Sequence, residues 1–459
     1  MTNRPSRKTF RDRLDDMVQR LKEEILTSRL QIGDYLPSEK KLGEQFGLSN
    51  KSVRKGLDIL VSEGLIVKVP KVGNRVARPE DDRALTVRFG YHRSITDESD
   101  LFNLLERFHE QYPQIKVQAV PIMNDSGVIE YLEAGLLDVA TINYPLFQTI
   151  QESGRLALLE EQPVDPHFYP FVTKAFMMDA ALKAKPFMFS PLVLCYNREH
   201  LRESGLLEPD SGWTWQDLSR AASILARPDE RLGFYFHLQS RNRWPVLLLQ
   251  SGESLQRGED GRPRLKDSRW LESFRISRDL VGKQRIPPVF DQEADVEELF
   301  KEGRASMILT SYFALNRLKH IKLDWDLAPL PHHYNAKTLL LVIGLVLNAK
   351  SSQKEASQKL IDFLTSYASQ LAIRHHTLSI PALKPAAEWT GEEKLYRPGR
   401  FHLYREIAST FSYYSELGLS NSDIIHMTQQ AKLYWSGLYD ERQLCERLEE
   451  MLERNNDEL

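Results

Sequence analysis

The chain has 459 residues, 41% hydrophobic and 27% charged, with a net charge of −3, which fits two or three globular domains and excludes wholesale disorder. Two distant cysteines, Cys195 and Cys445, exclude a disulfide framework or zinc cluster. With no run of about 18 apolar residues and no apolar signal segment in Met1–Arg13, they point to the cytoplasm. Residues 1–80 carry 17 Lys and Arg against 11 Asp and Glu, leaving 44 against 53 for the remainder, the asymmetry expected of a nucleic-acid-binding module joined to an acidic body.

In chain order, Leu14, Met17, Val18, Leu21 and Ile25 keep the spacing of one helix face, and this helix is predicted to end near Ser28, ahead of Gly33 and Pro37. Ser38 can cap a second, shorter helix through Phe46. Gly47 ends it, and Ser49 caps a third helix to about Ser62. Val53, Leu57, Leu60 and Val61 form the buried stripe of that third helix, with Lys51, Arg54, Lys55 and Asp58 opposite. Two helices joined by a Gly-containing turn, the second presenting a cationic face, make a helix-turn-helix. Leu65–Val69 and Asn74–Ala77 then read as strands about the turn Pro70-Lys71-Val72-Gly73, which is a wing.

These residues closely resemble the GntR family of regulators. The matching pieces are Gly33-Asp34-Tyr35-Leu36-Pro37-Ser38-Glu39, Leu42, Leu48-Ser49, Val53-Arg54, Leu57, Leu60, Glu63-Gly64-Leu65-Ile66, and Gly73 with Val76. The resemblance implies a double-stranded, palindromic DNA operator as partner and a homodimer. It assigns the DNA contacts to Ser38, Lys40, Ser49, Asn50, Lys51, Ser52, Arg54 and, at the wing tip, Gly73. Hydroxyls and a helix N-terminus suit phosphate oxygens, and Lys and Arg reach phosphates or guanine edges. Asn50 stands where the family more often has arginine, which moves the expected base from guanine toward adenine.

The expected domains are a winged helix over 10–78, a charged, Pro-containing linker over 79–84 and a body over 85–459. In the body, Leu85–Gly90, Ile115–Val120 and Val139–Ile142 read as strands alternating with helices over Leu101–Tyr112 and Ile129–Gly135. Further on, Leu299–Lys301 and Lys354–Ser369 read as helices, and Ser306–Leu309 and Leu340–Leu347 as strands. A closing helix carries the stripe Leu444, Leu448, Met451 and Leu452. This alternation predicts an α/β domain with a mostly parallel sheet.

The body resembles the family 1 extracellular solute-binding proteins, the two-lobed group that includes maltose-binding protein. The pieces are Leu105–Phe108 with Tyr112–Val117, Gly154–Leu159, Lys185–Arg198, Gly205-Leu206 with Trp213-Thr214-Trp215 and Leu218, Leu299–Met307, Leu327–Pro331 and the helix over Ala356–Gln370. The fold class is therefore α/β: an N-terminal winged helix-turn-helix followed by a two-lobed, type II periplasmic-binding-protein-like domain. A DNA-binding start argues against delivery of solute to a transporter and for reuse of the fold as a sensor. Leu341-Val342-Ile343-Gly344 departs from the family's glycines before the late strand. The resemblance implies a cleft for a small-molecule effector, and the aromatic inventory points to a sugar, while the acidic body disfavours an anion. Candidate ligand residues after strands or in loops are Tyr91, His92, Asn143, Tyr144, Trp244, Tyr312 and Phe313, the last pair standing where maltose-binding relatives carry tryptophan. Trp213 and Trp215 are assigned to packing, and His332-His333 and His375-His376 to the surface.

Two other readings remain open from sequence. The body could be a ligand-free dimerisation or protein-contact scaffold. More remotely, a MocR-type regulator would carry an aminotransferase-like domain holding pyridoxal phosphate, which needs a Schiff-base lysine and a Gly-rich phosphate loop that are not found. With no Ser/His/Asp elbow or HExxH either, neither enzymatic activity nor a cofactor is expected.

Overall fold

Met17, Val18 and Leu21 of helix α1 (Arg7–Leu26) find their counterpart in Val53, Leu57 and Leu60 of α3 (Asn50–Ser62), with Leu42 of α2 (Glu39–Phe46) filling the same small core. The computed structural model describes residues 7–457 apart from 27–28, 32, 63–64, 70–71, 77–84, 124, 259–261, 283–293 and 394; the expected linker 79–84 lies outside the described residues. Helix α1 begins ahead of the apolar stripe that announced it. A Cβ added at Gly56 would lie 2.2 Å from Met17 Cε and 3.1 Å from Leu14 Cδ1, so glycine lets α1 and α3 approach closely. The Ser38 hydroxyl accepts from the Lys41 N–H (3.3 Å) and Gly47 closes α2 with φ +62°. Strands β1 (Ile66–Val69) and β2 (Gly73–Val76) pair antiparallel as the wing.

The body begins with β3 (Leu85–His92), α4 (Ile95–Ser99), α5 (Leu101–Gln111), β4 (Ile115–Ile122), α6 (Asp125–Glu133), β5 (Val139–Asn143) and α7 (Tyr144–Glu152). Two long strands follow, β6 (Lys185–Asn197) and, after β7 (Leu232–Tyr235), α8 (Ala294–Lys301), β8 (Ala305–Ser311) and β9 (Trp325–Ala328), the strand β10 (Thr338–Leu347). The sheet order is β4-β3-β5-β10-β6-β8-β7, with β9 also on β6. The first lobe is built on β3, β4 and β5, the second on β7, β8 and β9. Strand β10 pairs with β5 over Ile343–Leu347, and β6 pairs with β8 over Leu192–Tyr196, so β6 and β10 run through both lobes. Their mutual register shifts between Ile343 and Gly344, a bulge at the crossing.

The sheet is mixed, which corrects the expectation of a mostly parallel one. Strand β5 runs parallel to β3 and β8 to β7, but β10 is antiparallel to β5 and to β6, and β6 is antiparallel to β8 and β9. The physical reason is the crossing pair, which returns between lobes instead of being joined by helical crossovers. All 13 residues of β6 are buried. Asp138, fully buried just before β5, is held by the Arg88 guanidinium (2.9 Å at both oxygens) and the Ser351 hydroxyl (2.7 Å). These bonds fix β3 to β5 and hold the Asp138 carboxyl below the usual range against the opposing effect of burial.

Candidate functional site

The winged module presents one cationic face. Lys51, Arg54 and Lys55 are exposed on α3, as are Lys40 beside the start of α2 and Ser49 and Asn50 at the start of α3. Arg54 Nε donates to Glu39 Oε2 at 2.7 Å, tying α3 to α2 and leaving the terminal guanidinium nitrogens outward. Ser38 is exposed but its oxygen is engaged in capping α2. Ser52 differs from the expectation: it is 5% exposed and its Oγ lies 2.7 Å from Ser49 Oγ. One turn on from Ser49, it faces the module's interior and not a duplex. Gly73 is exposed at the wing with φ +145°. Two residues not assigned to DNA from sequence stand beside it: exposed Arg75 of the wing and, bridged to it through the backbone, Tyr35 ahead of α2, itself 50% exposed. Neither belongs to an apolar period or a charge cluster, so only the strand pairing reveals them.

In the body, a cleft of about 1410 Å³ opens between the lobes. Its first-lobe wall comes from His92 at the end of β3 and Ser94 just beyond it, Asp97 and Glu98 of α4, and Asn143 at the end of β5. The second-lobe wall comes from Arg241-Asn242-Arg243, Glu297 of α8, Phe313, Arg317 and Tyr414, and Leu340–Ile343 of β10 form part of the lining. The departure at Leu341-Val342-Ile343 thus makes an apolar lining without filling the cleft.

Three of the seven candidate ligand residues meet here: His92, Asn143 and Phe313. His92 Nδ1 lies 2.9 Å from Ser94 Oγ, and Asn143 Oδ1 accepts from the Leu146 N–H (2.8 Å), capping α7. The other four pack away from the lining. Tyr91 stacks on Phe89 (6.1 Å). Tyr144 donates to Ser415 Oγ (2.9 Å) and lies against Tyr413 (4.8 Å). Trp244, 1% exposed, packs on Phe274 and Trp435 (both 5.5 Å), and its indole N–H donates to Thr428 Oγ1 (3.0 Å). Tyr312 is fully buried, donating to the Phe401 carbonyl oxygen (2.8 Å). All four rings are buried, and the polar tips of Tyr144, Trp244 and Tyr312 find partners away from the cleft, which is why position after a strand was a misleading guide. Trp215 is core as expected, donating to Gln250 Oε1 (2.6 Å). Of the four histidines expected at the surface, His376 is exposed, while His332, His333 and His375 are half-buried. No group of metal-ligating residues occurs among the described residues.

The charged residues of the cleft went unremarked in sequence because Arg241-Asn242-Arg243 reads as a solvated loop. Burial pushes the Glu98 carboxyl up to about 7, against the pull of a Ser94 hydrogen bond and of Arg317 and Arg243. Glu297, 1% exposed, is likewise raised by burial, although Arg243 lies close and Thr310 Oγ1 donates to it at 2.6 Å. Tyr414 donates to Asn242 Oδ1 (3.2 Å) and to the Arg241 carbonyl oxygen, bracing the loop that carries both arginines.

Comparison with known proteins agrees with this architecture. The family described as "Bacterial regulatory proteins, gntR family" matches residues 14–76, and "Bacterial extracellular solute-binding protein" matches 94–371. The sn-glycerol-3-phosphate-binding periplasmic protein UgpB of Escherichia coli (strain K12) is 21% identical over 324 residues, covering 64% of this chain and 73% of that protein. An ABC substrate-binding protein of Listeria monocytogenes in complex with cycloalternan superposes with a TM-score of 0.67 at 18% identity, over 81% of this chain and 99% of its own. Maltose-bound T. maritima MalE3 gives 0.69 at 19% identity, over 80% and 99%. A two-lobed body with this strand order, matched over most of its length, places the chain in the bacterial extracellular solute-binding protein family, with a GntR-family regulatory domain at its N-terminal end.

Proposed function

We propose that this protein is a cytoplasmic, homodimeric transcription regulator that binds a palindromic operator through α3 and the wing and senses a carbohydrate or related polyol in its interlobe cleft. The observation that carries this reading is the cleft itself. At about 1410 Å³, with both lobes supplying its walls, it offers space for a sugar larger than one ring and a means for the ligand to bridge the lobes. Two similar structures hold cycloalternan and maltose, and UgpB is named for sn-glycerol 3-phosphate; polyhydroxylated ligands are common to all three. The reading assigns no catalytic role to any residue and needs no cofactor. A ligand held by both walls favours the closed state by as much as it binds that state better than the open one.

Titration calorimetry of the full chain with mono- and oligosaccharides and polyol esters, paired with operator binding at ligand saturation, tests the proposal. Saturable binding of at least one member, accompanied by changed operator affinity, is the expected result. Operator binding with no response to any of them would leave only the DNA-binding half.

A further inference from the structure

Arg243 is 5% exposed and lines the cleft. Its hydrogen bond runs from Nη1 to the Asn242 carbonyl oxygen (3.2 Å), and among the described residues no carboxylate oxygen lies within 4.0 Å of its side chain. A guanidinium carries five N–H donors in a planar fork, and one left nearly dry without a counter-ion is costly unless an anion completes it. Arg317, exposed on the same wall, also has no carboxylate within that distance among the described residues. The acidic groups that feel the charge of this pair, Glu297 and Glu98, form no ion pair with it within 4.0 Å. Glu297 lines the same wall but is almost fully buried and already accepts from Thr310 Oγ1, and Glu98 comes from α4 of the opposite lobe.

We infer that the cleft selects an anionic polyol, specifically a phosphate monoester of a sugar or small polyol, whose phosphate sits on Arg243 and Arg317. This rests on the reading of the cleft as a ligand site and narrows its ligand class. Two guanidinium forks offer more donors than one carboxylate can accept, whereas a phosphate monoester presents three terminal oxygens and close to two charges at neutral pH. The opposite wall suits such a group: a Glu98 carboxyl poised near neutrality can take up a proton and donate to a phosphate oxygen where an ionised one would repel it. The rest of the lining, with His92, Asn143, Asn242 and Ser311, offers polar atoms for hydroxyls. Phe313 and Tyr414 are its only aromatic rings besides His92 among the described residues, little stacking surface for a neutral pyranose.

The test is titration calorimetry of the full chain with hexose and polyol phosphates, their unphosphorylated parents, hexuronates and inorganic phosphate at fixed ionic strength. At least one phosphate ester should bind tenfold or more tightly than its parent, than any hexuronate and than inorganic phosphate. Arg317→Gln, at an exposed position, should remove most of that preference; Arg243→Gln should remove the rest, with melting curves checking that the buried variant folds. A neutral parent binding as tightly as its ester overturns the inference and leaves carbohydrate sensing standing. So does a hexuronate or inorganic phosphate matching the best ester, or an ester preference unchanged in Arg317→Gln. Absence of binding by every compound, with operator binding intact, overturns both the inference and the sensor reading.

Discussion

Glu98 shows how the cleft stores electrostatic tension in a single side chain. Its carboxyl, ordinarily at 4.5, sits at about 7 because burial outweighs the pull of Arg317 and Arg243. Between those two values the folded protein holds a proton that the unfolded chain has released, so this residue's contribution to stability is fully present below about 4.5 and is lost as pH rises through 7. Glu98→Gln should therefore melt higher than the parent at pH 8.5 and at nearly the same temperature at pH 4.5, a difference that widens with pH in a melting series. A constant offset would show that burial does not govern this carboxyl. Trp244 illustrates the opposite case, a residue expected at the ligand and found in the core. Truncation to alanine removes its contacts with Phe274 and Trp435 and the hydrogen bond it donates to Thr428, which should cost about 3–5 kcal/mol in denaturant unfolding. A ligand-binding defect at unchanged stability would return Trp244 to the site. Nothing in one sequence separates these roles, since the partners of Trp244 lie at positions 274, 428 and 435.

Among the elements, α3 carries the argument for DNA. Its cationic face was legible because the buried stripe Val53, Leu57 and Leu60 fixes which side of a helix must face outward. Ser52 was not, because position in the first turn says nothing of which way a small hydroxyl points. Lys51→Ala should weaken operator binding without lowering the melting temperature, since its side chain is exposed, and Arg54→Ala should weaken it with at most the small loss of stability that a surface ion pair with Glu39 supplies. If each module neutralises roughly three to five phosphates, a dimer's affinity should fall with salt at a log–log slope of about −5 to −9; a slope near zero in an anisotropy series would reject the interface. Asn50→Arg should shift the preferred base from adenine toward guanine, and identical motifs selected from a random library by both proteins would exclude Asn50 from base reading. In the body, the short strands and amphipathic helices announced themselves by period. The direction of β10 did not: a strand buried at every position but Leu341 carries no alternation, and only its pairing shows that it runs back beside β6.

For the molecule as a whole, sensing requires that the two lobes have two arrangements and that DNA binding distinguishes them. Strands β6 and β10 connect the lobes, and the register shift at Ile343 and Gly344 breaks their mutual pairing there while β10 stays paired with Asn143 and Ile142 of β5. Gly344 has no room to change: an added Cβ would lie 2.8 Å from Phe176 Cε2 and 3.0 Å from Ala184 Cβ. Ligand binding should shorten the distance between fluorophores placed one on each lobe, and should change operator affinity in one direction by a factor that equals, by linkage, the change operator DNA makes in ligand affinity. In a symmetric dimer reading two half-sites one helical repeat apart, a shift of a few ångströms between recognition helices is enough to alter the fit. Gly344→Ala should disturb the crossing and so weaken the coupling while leaving Arg243, Arg317 and α3 chemically intact. Its ligand affinity and its ligand-free operator affinity should then change less than the factor that links them. If ligand closes the lobes and operator affinity stays constant at saturation, the cleft binds without signalling and control of DNA binding lies elsewhere in the chain.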